Sequence, residues 1–200
     1  MLGAVRSPGR SLSPRAGELD DRTVRRAAAG DPGAARRLVE TYQGRVFALA
    51  SRMLAGRGRA TIEDAAQDTF LQVFRRLGSW KPGGPAKLST WILTIAARRA
   101  IDELRRQRPT LLADLDAPGD ARGDDRAIRR ELIAAIERAL HDLSPELRAA
   151  FLLREYHGLD YAEIASALGI DLGTVKSRLS RARAALRERL ADLADLPDAG

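Results

Sequence analysis

The run from Asp171 to Leu190 carries the side chains with the clearest chemistry in this sequence. Arginine can donate two parallel hydrogen bonds to guanine, serine and threonine can bond a phosphate or a base edge, and further basic side chains neutralise phosphates. Residues 174–189 hold six basic residues and one acidic residue, for a net charge of +5. The run therefore indicates a DNA-binding helix, the alternative being a basic helix face that is only solvated. The candidate DNA-binding residues are Thr174, Lys176, Ser177, Arg178, Ser180, Arg181 and Arg183.

A helix that reads DNA needs a second helix to hold it, and residues 160–186 have the pattern of such a pair. Residues 161–168 predict the first helix, Gly169 a left-handed turn that costs glycine little, and Asp171 the cap of the second helix. At about 100° per residue, one face of the second helix is apolar and can pack back. That face consists of Val175, Leu179, Ala182, Leu186 and Leu190. The layout predicts a helix-turn-helix, whose second helix enters the major groove.

The composition is typical of a helical protein with a polyanionic partner. The 200 residues include 34 Lys+Arg and 27 Asp+Glu, a net charge of +7. Only 4% of the residues are aromatic, and Ala, Leu, Arg and Glu favour helices. The chain has no cysteine, so disulfides and cysteine-based zinc sites are excluded. The N-terminus lacks the apolar stretch of a signal peptide, and no stretch approaches the roughly 20 apolar residues of a membrane span. We expect a cytoplasmic protein without a cofactor.

Helical periodicity predicts an all-α fold with two small helical domains joined by a flexible acidic linker. Residues 1–19 are rich in Gly, Ser, Pro and Arg, and we expect them to be disordered. The expected units are a helical bundle over 20–110, a linker over 111–125, a helix-turn-helix domain over 126–194 and a tail over 195–200. The predicted helices cover 21–30, 34–54, 61–77, 89–108, 126–143, 145–158, 161–168 and 171–190.

Three stretches of this chain resemble parts of a bacterial RNA polymerase sigma factor of the extracytoplasmic-function (ECF) type. They are 63-EDAAQDTFLQVF-74, 90-TWILTIAARRAIDELRR-106 and the whole of 143–190, which resembles region four. The order and spacing of the stretches and the intervening linker match the family from about Asp21 to Leu190. The resemblance implies a region-two bundle and a region-four helix-turn-helix that bind core RNA polymerase and promoter DNA.

The resemblance also implies where the two partners bind. In that family a region-two helix docks on the clamp helices of the largest polymerase subunit, and the next loop and helix meet the minus-ten promoter element and trap an unpaired base. Region four grips the minus-thirty-five element, so the candidates on the 171–190 run are assigned to it. The polymerase-binding candidates are Glu63, Asp64, Gln67 and Asp68. The minus-ten candidates are Trp80, Lys81, Lys87, Ser89, Trp91, Arg98 and Arg99.

Some of these positions have a simpler explanation or depart from the family. Acidic and amide groups outside an apolar stripe are often only solvated, and each tryptophan could be core. Ala97-Arg98 stands where the family often has Arg-Asn, and Leu88-Ser89 stands where it usually has a phenylalanine. The preferred minus-ten bases therefore stay open.

The linker and the usual regulation of the family suggest two further expectations. Residues 113–125 hold five aspartates and one arginine, a net charge of −4. In the family this tether runs through the channel that RNA later occupies, so the charge could mimic RNA, although solubility would also explain it. The resemblance also implies an anti-sigma factor as a partner.

Two other classes of function compete with this interpretation. A stand-alone helix-turn-helix regulator would need only the second domain. An enzyme would need a reactive group, yet the two histidines, His141 and His157, lie in no metal or triad spacing, and the chain has no phosphate-binding GxxxxGK[ST] loop. We expect the protein not to be an enzyme.

Overall fold

The computed structural model of the protein describes residues 17–84, 86–106 and 124–191, in the last range with side chains from residue 131. Regular structure in these ranges is helical, which confirms the all-α prediction. A 3-10 turn, Leu77–Ser79, and a π-helical turn, Leu152–Tyr156, directly follow the third and sixth helices. The α-helices are α1 (Asp21–Ala28), α2 (Pro32–Met53), α3 (Arg59–Arg76), α4 (Leu88–Arg106), α5 (Asp124–His141), α6 (Pro145–Phe151), α7 (Tyr161–Leu168) and α8 (Leu172–Arg189).

Most helix starts are fixed by local side chains. Ser144 accepts a hydrogen bond from the Leu147 backbone N–H at the start of α6 and is followed by a proline. At α7, Asp160 and Glu163 form a reciprocal capping box. The helix predicted to begin at residue 61 begins two residues earlier. Gly58, with φ 79°, turns the chain earlier, so α3 begins at Arg59 and Thr61 lies within its first turn.

The first unit packs α1, α3 and α4 around the apolar side of α2. Side chains at helical spacing form an apolar stripe along α2, and each is at most 1% exposed. Each such side chain contributes about 1.5–3 kcal/mol when fully buried. The stripe consists of Leu38, Tyr42, Val46, Leu49 and Met53.

The second unit contains the predicted helix-turn-helix. Gly169 ends α7 in the left-handed conformation, with φ 68° and ψ 42°, and this turn aims α8 across α7 and α6. The predicted apolar face of α8 is buried at Val175, Leu179, Ala182 and Leu186. The basic side chains consequently lie on the other faces of α8.

The two units share one continuous hydrophobic core. Helix α4 of the first unit packs against α6 and α7 of the second. Sequence analysis predicted two units but not this contact, and the boundaries proposed for them stay a prediction. Most of the acidic linker lies outside the described residues. Among the described helices, none has the length and apolar character needed to cross a bilayer.

Candidate nucleic-acid interface

The N-terminal end of α8 is held in place by its cap. The Asp171 carboxylate accepts hydrogen bonds from the Thr174 backbone N–H at 2.8 Å and from its hydroxyl at 2.6 Å. These two bonds lower the pKa of Asp171. Both the backbone N–H and the hydroxyl of Thr174 are therefore bonded to Asp171, and this cap holds the first turn of α8 in place.

Most of the DNA-binding candidates on α8 are open to solvent. Lys176, Ser177, Ser180 and Arg181 are exposed, and Arg178 is half-buried. The Arg181 Nε donates to the Ser177 carbonyl at 3.3 Å, so this side chain lies along its own helix. These residues form a continuous polar surface that a phosphate backbone or a base edge can reach.

Arg183 differs from the other α8 candidates because it already has an acidic partner. Its Nε and Nη2 donate to the Glu155 Oε1 at 3.2 and 2.6 Å. The bond to Glu155 raises the pKa of Arg183. In this arrangement Arg183 ties α8 to the π-helical turn and is less available to DNA than Arg181.

The loop before α4 presents positive charge beside a tryptophan. Lys81 and Lys87 are exposed. Trp80 is half-buried against the core, and its indole N–H donates to the Ala86 carbonyl at 3.3 Å. Trp91 is also half-buried against the core. Each ring packs on the core and keeps an exposed part, and the minus-ten role of both tryptophans stays a prediction.

Ser89 lies inside the protein, with 4% of its surface exposed. Its hydroxyl and its backbone N–H both donate to the Glu18 carboxylate. Glu18 also accepts from the Tyr42 hydroxyl at 3.1 Å, and burial raises the pKa of Tyr42 to about 12. Sequence analysis missed Glu18 because it placed residues 1–19 in a disordered extension, and no local pattern marks this contact.

Two residues on one side of α4 donate side-chain hydrogen bonds to α7. The Arg98 Nε donates to the Ala167 carbonyl at 2.9 Å, at the C-terminal end of α7. Such carbonyls have no partner within their own helix and carry partial negative charge. The Thr90 hydroxyl donates to Glu163 at 2.8 Å. The minus-ten candidate Arg98 is therefore hydrogen-bonded to the first helix of the helix-turn-helix.

The polar side of α3 borders an apolar groove. Asp64 and Gln67 are exposed, Glu63 pairs with Arg59 at 2.6 Å, and Asp68 pairs with Arg99 of α4. A groove of about 520 Å³ separates α2 from α3. Phe47 lies in it with 43% of its surface exposed. Its lining residues are Val39, Gln43, Gly44, Phe47, Glu63, Ala66, Gln67 and Phe70.

Arg148 is the buried charge that joins the two units. It is 3% exposed and donates to the Met53 carbonyl at 2.5 Å, to the Leu143 carbonyl at 3.2 Å and to the His141 carbonyl. Burial lowers the pKa of Arg148 to about 10, so it stays charged at neutral pH. One guanidinium therefore fastens the end of α2 to the turn between α5 and α6.

His157 lies in the same contact region without a hydrogen-bond partner among the described residues. It is 7% exposed, and its ring meets Tyr156 edge-on at 4.9 Å between centroids. The Arg52 guanidinium stacks on Tyr156 at 4.0 Å. Burial, together with the charges of Arg45 and Arg52, lowers the pKa of His157 to about 3. The imidazole is consequently neutral in the folded protein.

The low pKa of His157 predicts a loss of stability in mild acid. An unfolded histidine takes up a proton near pH 6.5 and the folded one near pH 3, so stability is lost as the pH falls below the unfolded value. From pH 7 to pH 5 the loss due to His157 should be about 2 kcal/mol. Urea unfolding at both pH values measures it. His157→Leu should remove most of this slope, and an unchanged slope would contradict the assignment. His141, whose pKa burial also lowers, stays in both proteins.

Two family models match this chain, and each covers one helical unit. Residues 38–110 match the model described as Sigma-70 region 2, and residues 133–186 match the model described as Sigma-70, region 4. The first match includes most of α2 and all of α3 and α4, and the second includes α7 and most of α8. The polar α3 side and the basic α8 side thus fall in different matched regions.

Similar proteins cover most of the chain. It is 31% identical over 194 residues to the RNA polymerase sigma-H factor of Pseudomonas aeruginosa, covering 88% of this chain and 96% of that one. It is 30% identical over 183 residues to the ECF RNA polymerase sigma factor SigW of Bacillus subtilis, covering 85% and 96%. A solved structure of CnrH in complex with the cytosolic domain of CnrY matches with TM-score 0.63 and 27% identity, covering 88% and 97%.

Proposed function

Because this chain belongs to the ECF type of RNA polymerase sigma factors, we propose that it divides the work of promoter recognition among α3, α4 and α8. A sigma factor binds core RNA polymerase, directs it to promoters and promotes opening of the DNA. One observation supports this division most strongly. The helix-turn-helix presents an exposed basic helix, and the separate helical bundle presents a groove with acidic side chains beside it. A stand-alone regulator has no use for the second feature.

Helix α8 reads the minus-thirty-five element in this proposal. Its exposed Lys176, Ser177, Ser180 and Arg181 and the half-buried Arg178 support the role, because they are free to meet base edges and phosphates of duplex DNA. Thr174 and Arg183 position the helix through Asp171 and Glu155. The linkage of two DNA-binding units in one chain raises the effective concentration of the second once the first has bound.

Helix α3 holds the polymerase in this proposal. Glu63 and Gln67 line a groove that contains the exposed Phe47, and Asp64 and Asp68 lie beside them on the same helix. A partner helix with one apolar side and one basic side fits such a surface, since the apolar side fills the groove and the basic side meets the acids. The clamp helices of the largest polymerase subunit are the partner that the family supplies.

The side of α4 that carries Thr90 and Arg98 meets the minus-ten element only after α7 has moved. The contacts of Arg98 and Thr90 with α7 support this step, because DNA and α7 would compete for one side of α4. Lys81, Lys87 and the exposed parts of Trp80 and Trp91 are then placed to receive an unpaired strand. Ser89 acts by holding the start of α4 to Glu18.

The opening step predicts a change in distance when polymerase binds. Since the chain has no cysteine, spin labels can be placed at Arg36→Cys on α2 and Ala162→Cys on α7, both exposed positions. Addition of core polymerase should lengthen this distance by more than about 10 Å, the diameter of a helix. A control pair within one unit, Arg36→Cys with Arg75→Cys on α3, should not change. An unchanged distance between α2 and α7 in the polymerase complex would contradict the opening step.

The remaining roles follow from membership in this family. We propose that the chain itself catalyses nothing, that it acts in the cytoplasm beside polymerase and DNA, and that an anti-sigma factor restrains it. The similar protein CnrH was solved with the cytosolic domain of CnrY, which supports a protein partner. The role of the acidic linker in the RNA channel stays a prediction.

Capture of core polymerase separates the proposed function from that of a stand-alone regulator. The immobilised protein should retain purified bacterial core enzyme without DNA present. The double variant Asp64→Ala/Gln67→Ala on α3 should no longer retain core enzyme. Glu40→Gln, a change at an exposed position on α2, should still retain it. If the protein binds promoter duplex but does not retain core enzyme, the proposal is wrong.

A further inference from the structure

We propose that the ion pair between Asp68 and Arg99 makes DNA binding by α4 depend on polymerase docking at α3. This inference rests on the proposed function, because it takes Asp68 as a polymerase contact and Arg99 as a DNA contact. The two residues were assigned to different partners, yet in the structure they bind each other.

The geometry gives the two members of the pair unequal access to solvent. The Arg99 Nη2 donates directly to the Asp68 Oδ2 across the contact between α3 and α4. The Asp68 side chain is 47% exposed, and that of Arg99 is 24% exposed. An approaching protein can therefore reach the carboxylate while the guanidinium is still held against the bundle.

Arg99 is incompletely satisfied in this position. Its Nε is buried and has no hydrogen-bond partner among the described residues. A guanidinium binds a phosphate through two parallel N–H groups, which is a better arrangement than one bond and one orphan donor. Loss of Asp68 as a partner would thus favour movement of Arg99 toward a phosphate of the DNA.

Asp68 is placed to lose its bond to Arg99 when α3 is covered. It lies one turn after Asp64 and directly after Gln67, which lines the groove between α2 and α3. A docked helix with basic side chains would compete with Arg99 for the carboxylate. Once the carboxylate is neutralised by the partner, Arg99 loses the acidic partner with which it pairs across the contact between α3 and α4.

The neighbouring Arg98 is controlled by a different event. It donates to the neutral carbonyls of Ala167 and Ser166 in α7 and not to a carboxylate. Departure of α7 would free Arg98, and occupation of α3 would free Arg99. In the free protein each arginine is thus held by a hydrogen bond within the chain, and only the polymerase complex releases the two together.

Binding of a labelled single-stranded oligothymidylate, about 12 nucleotides long, tests this coupling in the free protein. Asp68→Asn should raise the affinity about fivefold, the factor expected for one partly exposed ion pair, and steepen the salt dependence by about 0.7. The gain should vanish in Asp68→Asn/Arg99→Ala. Glu40→Gln removes the same charge from an exposed site on α2 and should produce no comparable gain. Thermal unfolding by circular dichroism verifies that each variant is folded.

The same comparison with core enzyme completes the test. Docking of core enzyme already releases Arg99. Asp68→Asn and the parent protein should therefore bind the oligonucleotide with equal affinity when the same fraction of each protein is bound to core enzyme. A gain of equal size with and without core, a gain that survives Arg99→Ala, or no gain in the free protein would overturn the coupling. Failure to retain core enzyme at all would instead refute the proposed function, so the two failures are distinguishable.

Discussion

Replacing Arg148 with alanine should lower the free energy of unfolding by about 3 kcal/mol. The guanidinium is 3% exposed and donates to the carbonyls of Met53, Leu143 and His141. Alanine would leave these acceptors without their donor in a region that water reaches poorly. The effect should exceed that of any exposed arginine, because a buried polar group left unpaired costs more than a surface contact contributes.

Urea unfolding followed by circular dichroism measures this effect, and the melting temperature should fall by about 10 °C. Arg148→Lys keeps the charge but cannot reach several carbonyls at once, so it should lie between the parent protein and Arg148→Ala. Arg187→Ala, an exposed position on α8, is the matched control and should change stability by no more than about 0.5 kcal/mol. A loss of similar size in Arg148→Ala and Arg187→Ala would contradict the buried role of Arg148.

Replacing Arg178 or Arg181 with alanine should reduce promoter selectivity at the minus-thirty-five element by about 1–3 kcal/mol for each lost bidentate contact to a base. Arg178 lies half-buried in the N-terminal half of α8, and the exposed Arg181 directly follows that half. That half of a recognition helix is the part that meets base edges. The loss should therefore fall on the cognate sequence and spare other sequences.

The measurement compares the affinity of the polymerase complex for a promoter and for the same DNA with a scrambled minus-thirty-five element. For the two arginine variants, the ratio of the two affinities should shrink toward one. Arg187→Ala, placed further along α8, should weaken both DNA molecules alike through a lost phosphate contact. Equal weakening of both DNA molecules by Arg178→Ala and Arg181→Ala would assign these residues to phosphates and contradict the reading of bases.

Local features of this fold were predictable because local physics sets them. The stripe at Leu38, Tyr42 and Val46 has the period of a helix and is buried as expected. Gly169 and Asp171 form the turn and cap predicted for the helix-turn-helix. The start of α3 was the exception, since the positive φ of Gly58 turns the chain two residues before the predicted start at residue 61.

Contacts between distant parts of the chain could not be predicted in the same way. Arg148 and Met53 are 95 residues apart, Glu18 and Ser89 are 71 apart, and Arg98 meets α7 across 69 residues. Each contact depends on how the two units pack, and helical periodicity carries no information about that packing. The resemblance suggested which partners α4 meets, but not that its own helix-turn-helix occupies the same side first.

Transcription from mapped start sites tests the central claim most directly, namely that this chain carries core polymerase to promoters. Purified protein and core enzyme should together produce run-off transcripts from a genomic library. These transcripts should begin at defined positions, each preceded by the same two sequence elements at fixed distances upstream. Core enzyme alone, or core enzyme with the Asp64→Ala/Gln67→Ala variant, should not produce them. If the complete mixture yields no transcript with a defined start, the chain does not act as described and the roles assigned to α3, α4 and α8 fall together.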